Sequence, residues 1–73
     1  MRGREFIDRV KGLAKKRGVE FKFDPTRGKG SHGTLWFGSR FTVLPNPRNE
    51  LKKGTLAGIC RQLGIRPQDI QGR

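Results

Sequence analysis

The chain has 73 residues, of which 17 are Lys or Arg and six are Asp or Glu, so its formal net charge is +11. A domain this short builds only a small core, and any chemistry must lie on its surface or in a shallow groove. The charge excess favours a polyanionic partner, most often a nucleic acid, and a single cysteine excludes a disulfide framework. Without a long apolar run we expect no signal peptide and no membrane association, and a reducing cytoplasm is the expected compartment.

A first helix is predicted between Arg4 and Arg17. Apolar residues recur there at helical spacing and form one stripe. The stripe consists of Phe6, Ile7, Val10, Leu13 and Ala14. Gly18 follows directly, and glycine is the residue that most often ends a helix.

Three strands are predicted after this helix, in residues 19–24, 33–37 and 40–44. The first, VEFKFD, alternates apolar and polar residues with the period of a half-buried strand. Gly38-Ser39 separates the other two and fits a tight hairpin turn, so an antiparallel meander is the simplest arrangement. On the expected core face lie Phe21, Phe23, Leu35, Phe37, Phe41 and Val43. On the expected open face lie Lys22, Thr34, Trp36, Arg40 and Thr42.

A second helix is predicted from Thr55, where apolar residues recur at i, i+3, i+4 and i+7 up to Gly64. The apolar positions are Leu56, Ile59, Cys60 and Leu63. A last short turn is predicted from Pro67 to about Ile70. The whole chain, 1–73, is thus expected to be one α+β domain of order α-β-β-β-α, with both helices on one face of a three-stranded antiparallel sheet.

The loop GKGSHG, residues 28–33, contains the only histidine of the chain, His32. An imidazole can act as acid or base near neutral pH because its ordinary pKa is about 6.5. RNA carries its own nucleophile, the ribose 2′-hydroxyl, so one histidine suits RNA cleavage better than DNA cleavage. The acidic residues are scattered without metal-ligand spacing, and we expect neither a metal nor another cofactor. A passive connecting loop is the alternative interpretation.

Several basic residues and one aromatic residue are candidate RNA contacts. Arg27 and Lys29 belong to the loop of His32, and Lys52 and Lys53 precede the second helix, whose N-terminus adds backbone donors for a phosphate. A solvated charge pair is the alternative for the two lysines. Trp36, on the expected open sheet face, could stack a base or anchor a protein partner. In the alternative, a register shift of one residue buries it.

Three segments resemble the HicA family, the small toxins of bacterial and archaeal toxin–antitoxin pairs. They are KGSH before the second strand, FTVLP at the end of the third, and LKKGTLAGICRQLGI at the second helix. The resemblance extends from GREFI to QLGI. It implies a fold like the double-stranded RNA-binding domain and ribosome-independent cleavage of mRNA. It also implies that the histidine of G-S-H, here His32, is catalytic, and that a HicB-type antitoxin binds and masks the toxin.

The sequence therefore predicts a metal-free mRNA endoribonuclease, the toxin of a type II toxin–antitoxin system, that inhibits translation and growth. His32 is the predicted general acid/base, and Gly30 and Ser31 shape its loop. The second proton-transfer group is left open between Lys29, water and a residue of another molecule. The main alternative is a non-catalytic RNA-binding module of the same fold, and a further one is a protein-interaction domain that uses the face of Trp36.

Overall fold

The computed structural model describes residues 1–25, 33–44 and 49–70. Within these residues the elements are α1 (Gly3–Arg17), β1 (Phe21–Asp24), β2 (Gly33–Phe37), β3 (Arg40–Leu44), α2 (Lys53–Leu63) and α3 (Pro67–Ile70). The strands form one antiparallel sheet of order β1-β2-β3. The predicted α+β class and element order are confirmed, and the arrangement is compatible with the double-stranded RNA-binding-domain fold that the resemblance implies.

Both long helices end at the glycines that the sequence predicts. Gly18 and Gly64 adopt the left-handed conformation, with φ of 69° and 75°. After Gly18 the amide of Val19 donates to the carbonyl of Ala14 at 2.8 Å, so Val19 closes the helix end. For this reason β1 begins at Phe21, two residues later than the alternation suggests.

The hairpin between β2 and β3 decides which residues of β3 face the helices. Phe37 pairs with Arg40 and Trp36 pairs with Phe41 across a turn of two residues, 38–39. Directly opposed residues of an antiparallel pair share one face of the sheet. Phe41 therefore lies beside Trp36, on the face that the helices leave open.

The expected faces of β3 are accordingly wrong. Phe41 and Val43, expected in the core, are 57% and 53% exposed. Thr42, expected on the open face, is 2% exposed, and its hydroxyl donates a hydrogen bond to Oε1 of Gln62 in α2. Arg40 also lies on the helix side, against the end of α2. The two-residue turn fixes this phase, because it pairs Arg40 with the buried Phe37 and so places Arg40, Thr42 and Leu44 on the core face.

The core lies between the sheet and the helices, with α1 packed on β1 and β2 and α2 packed on β3. Its buried apolar residues are Phe6, Val10, Ala14, Leu35, Phe37, Leu44, Leu51, Leu56, Ile59, Cys60, Leu63, Ile65 and Ile70. Phe21 and Phe23 are half-buried against it, on the face expected for β1. Among the described residues, no helix is long and apolar enough to cross a bilayer.

Candidate functional site

The loop that carries the predicted catalytic residue connects β1 to β2. Its residues Arg27, Lys29, Gly30, Ser31 and His32 lie outside the described residues, which end at Pro25 and resume at Gly33. On its two flanks, Asp24 pairs with Thr34 and Gly33 pairs with Leu44. The loop therefore leaves β1 and joins β2 at the same end of the sheet as the C-terminal end of β3.

Gly33, the last residue of the GKGSHG motif, is required by packing. A Cβ atom at this position would lie 2.7 Å from Cζ of Phe23 and 3.2 Å from the carbonyl oxygen of Asp24. A side chain here would force the Phe23 ring or the start of β2 to move, so glycine fits this position best. This glycine anchors one end of the loop to the core face of the sheet, a role that the sequence alone did not reveal.

The N-terminus of α2 presents two cations and free backbone donors. Lys52 is the N-cap residue and Lys53 the first helical residue, both are exposed, and the first turn contains no acidic residue. The first amides of a helix have no partner within the helix. Among the described residues, the amides of Lys53, Gly54 and Thr55 donate no hydrogen bond. A phosphate placed here would meet both charges and these donors.

The start of α1 lies on the same side of the molecule as the flank of the loop. Arg4 and Asp8 of α1 line a shallow groove of about 320 Å³ together with Phe23 and Pro25. The amide of Gly3 donates to the carbonyl of Asn49 at 3.0 Å, which ties the segment leading into α2 to this helix end. Arg4 is thus a further cation beside the loop, which sequence reasoning missed.

The open face of the sheet carries an aromatic pair and a lysine. The Nζ atom of Lys22 lies 5.2 Å from the centroid of the Trp36 ring, a cation–π contact. Trp36 is half-buried, whereas Phe41 on its other side is mostly exposed. Trp36 therefore lies where the sequence placed it, and Phe41 was missed because β3 was assigned the opposite phase.

The remaining reactive groups of the described residues form no second centre. Burial raises the pKa of the Cys60 thiol, and the charge of Asp69 raises it further. Cys60 is fully buried in α2, so its thiol stays protonated and acts as a small apolar core residue, as predicted. No group of three potential metal-ligating side chains occurs in the part of the chain that the structure describes.

Comparison with known proteins identifies the family. The model of the HicA toxin of bacterial toxin–antitoxin systems matches residues 7–65, from α1 to the buried residue that follows α2. The chain belongs to the HicA toxin family. It is therefore a toxin of the kind that is paired with an antitoxin. No curated protein and no solved structure matches the chain significantly.

Proposed function

We propose that the chain is a ribosome-independent mRNA endoribonuclease of a type II toxin–antitoxin system, whose activity inhibits translation and growth. The match of residues 7–65 to the HicA toxin family carries this proposal. The net charge of +11 supports it, because the substrate is a polyanion. A HicB-type antitoxin is the proposed protein partner, and the cytoplasm is the proposed compartment.

His32 is the proposed general acid/base of the reaction. The ribose 2′-oxygen attacks the adjacent phosphorus, and the bond from phosphorus to the 5′-oxygen breaks, leaving a 2′,3′-cyclic phosphate and a 5′-hydroxyl. An imidazole accelerates this step by accepting the 2′ proton or by giving a proton to the leaving oxygen, and no metal ion is required. Gly30 and Ser31 shape the loop around it. Lys29, water or a residue of another molecule supplies the second proton transfer.

Phosphate binding is assigned to cations near the end of the sheet at which the loop joins β1 to β2. Lys52 and Lys53 stand at the exposed N-terminus of α2, where unpaired amides favour an anion. Arg27 and Lys29 belong to the loop itself. Trp36 is proposed to contact the RNA from the open sheet face.

The test of the proposal is His32→Ala in purified protein, free of antitoxin, at low salt. Removing a general acid/base lowers a rate by about 10²- to 10⁴-fold. We expect cleavage of an mRNA transcript to fall by this factor, together with the loss of growth inhibition in cells. The thermal unfolding midpoint and the affinity for a non-cleavable 2′-O-methyl oligoribonucleotide stay near those of the wild type.

The same assay separates the enzyme from the RNA-binding module. A binding module binds RNA with a salt-dependent affinity but leaves it intact in wild-type and variant alike. Wild-type protein that leaves the transcript uncut would therefore overturn the proposed activity. Absence of any RNA binding would favour a protein-interaction domain instead.

A further inference from the structure

The open sheet face consists of two rows of side chains that run across the strands. The row near the loop contains Asp24, Thr34 and Val43, and the row behind it contains Lys22, Trp36 and Phe41. Each row follows from the register, since opposed residues share a face.

The second row lies close to Gly33, the first residue of β2 after the GKGSH segment. Trp36 is three residues from Gly33 along β2, which corresponds to about 10 Å in a strand. An RNA strand bound beside Gly33 could therefore reach the rings of Trp36 and Phe41 within a few nucleotides.

The composition of this face selects single-stranded nucleic acid as the occupant. Aromatic rings beside a lysine, on a chain of net charge +11, complement a strand with stackable bases and negative phosphates. Among the described residues, the apolar side chains of this face are the half-buried Trp36 and the exposed Phe41 and Val43, with Thr34 between them. A stable protein interface needs about 800 Å² and 20–30 residues on each partner. Three apolar side chains interrupted by Thr34 are too few for the apolar core of such an interface.

The two rings offer different stacking surfaces. Phe41 is 57% exposed and has the more open ring. Trp36 is half-buried and already has Lys22 against its ring, 5.2 Å from the centroid. An exposed cation–π contact is worth only about 0.5–1 kcal/mol, so Lys22 is easily released to a phosphate.

We propose that Phe41 and Trp36 form a stacking surface for unpaired bases that flank the scissile phosphate. This inference rests on the proposed function and makes its substrate single-stranded rather than double-stranded RNA. Bases in a duplex are stacked on each other and cannot reach these rings. Phe41 is thereby a substrate-positioning residue, distinct from the cations that hold the backbone.

The experiment measures binding of a labelled, non-cleavable 2′-O-methyl 12-mer to the wild-type protein and to variants of the face. Phe41→Ala and Phe41→Leu are expected to weaken single-strand binding by on the order of tenfold. Phe41→Tyr retains the ring and restores the affinity. The matched control is Val43→Ala, an equally exposed aliphatic residue of the neighbouring row, which leaves the affinity unchanged. A duplex of the same sequence binds all variants alike.

Thermal melts of each variant confirm folding, and the exposed position of Phe41 makes its loss tolerable. Wild-type affinity in Phe41→Leu would overturn the stacking surface while leaving His32-dependent cleavage, and thus the proposed function, intact. An equal loss in Val43→Ala would also overturn it, since it would indicate a general apolar contact of the kind that a protein partner uses. Wild-type protein that binds no single strand and cleaves no RNA would overturn both proposals.

Discussion

The two long helices differ in the charges at their N-terminal ends. In α1 the first turn contains Glu5, whose carboxylate pairs with Arg9 one turn later at 2.9 Å, and the amide of Gly3 donates to a neighbouring carbonyl. In α2 the corresponding positions are Lys52 and Lys53, and no acid offsets them. Carboxylates stabilise a helix N-terminus and cations destabilise it. At the start of α1, Glu5 partly offsets the cations Arg2 and Arg4, whereas no acidic residue in the first turn of α2 offsets its two lysines.

The N-terminus of α2 is therefore better suited to an anion than that of α1, whose first turn already contains a carboxylate. The last turn of α1 contains three basic residues, 15–17, which also complement its dipole. α2 is well packed along its buried face, so its lysines are tolerated although they lower the stability of its first turn. Residues that lower the stability of the fold without a compensating contact are expected mainly at functional sites. The proposed phosphate contacts of Lys52 and Lys53 account for the departure.

The C-terminal ends of the two helices give the largest expected effect. Replacing Gly64 or Gly18 with Ala forces a side chain into the left-handed region, at a cost of about 1–2 kcal/mol. A Cβ at Gly18 meets nothing within 4 Å, whereas at Gly64 it lies 3.0 Å from Cδ and Nε of Arg40. We expect Gly64→Ala to lower the free energy of unfolding more than Gly18→Ala, as measured by urea denaturation.

Gly12, in the middle of α1, is the matched control. A Cβ atom added at Gly12 would also meet nothing within 4 Å. Unlike Gly18, however, Gly12 has a helical backbone, which alanine adopts without strain. Gly12→Ala is expected to raise the free energy of unfolding by about 0.5–1 kcal/mol. Equal losses at Gly18 and Gly64 would show that Arg40 moves aside without cost.

Exchanging charges at the N-termini is expected to change stability with opposite signs. Lys53→Glu raises the free energy of unfolding by about 0.3–1 kcal/mol at low salt, because the helix N-terminus favours an anion. Glu5→Lys lowers it by a similar amount and removes the ion pair with Arg9. Lys53→Glu is also expected to weaken RNA binding, whereas Glu5→Lys does not weaken it. Denaturation and RNA titration on the same samples measure both.

The salt dependence of binding distinguishes a phosphate contact from a general charge effect. Lys53→Ala is expected to reduce the slope of log affinity against log salt concentration by about 0.7 for single strands. Lys11→Ala removes an equal charge from the exposed side of α1 and leaves the slope unchanged. Equal reductions in the two variants would contradict a specific contact at Lys53.

The sequence predicts most of this fold because periodicity and glycine positions are local signals. Residues close in the chain are enough to predict the apolar stripe of α1 and the turn at 38–39. They also predict that the helices end at Gly18 and Gly64. The phase of β3 did not follow, because Phe41, Val43 and Leu44 allow apolar alternation on either face. The turn length determines it, and counting residues across the turn would have placed Phe41 beside Trp36.

The candidate site was less accessible to sequence reasoning because its determinants are contacts between distant segments. Gly33 looks like one more flexible residue of its loop until the ring of Phe23 is placed against it. Gln62 lies in a segment that resembles the HicA family, and its contact with the buried Thr42 is structural. By contrast, the position of Lys52 and Lys53 at the start of α2 could be predicted, because it is a local property of the sequence.

The smallest expected effect concerns acid stability where α1 meets α3. A hydrogen bond from the backbone amide of Arg66 holds the pKa of Asp69 below its ordinary value, and the nearby Arg17 guanidinium, at 3.3 Å, lowers the pKa further. Because the pKa is lower in the folded chain, the ionised form stabilises the fold above the ordinary aspartate pKa of about 3.9. This contribution is lost as the pH falls below that value.

Asp69→Asn tests this linkage, since the amide cannot ionise and keeps nearly the same shape. The variant is expected to be less stable than the wild type at pH 7, and the difference in unfolding free energy shrinks as the pH falls from about 5 towards 2. Measuring the difference between the two proteins isolates Asp69 from the other carboxylates, whose titration affects both. A difference that stays constant over this range would assign the loss to packing of α3 rather than to charge. In that case the attachment of α3 to α1 would depend on the hydrogen bond from Arg9 to the carbonyl of Ile70, at 2.8 Å, and on the buried side chain of Ile70.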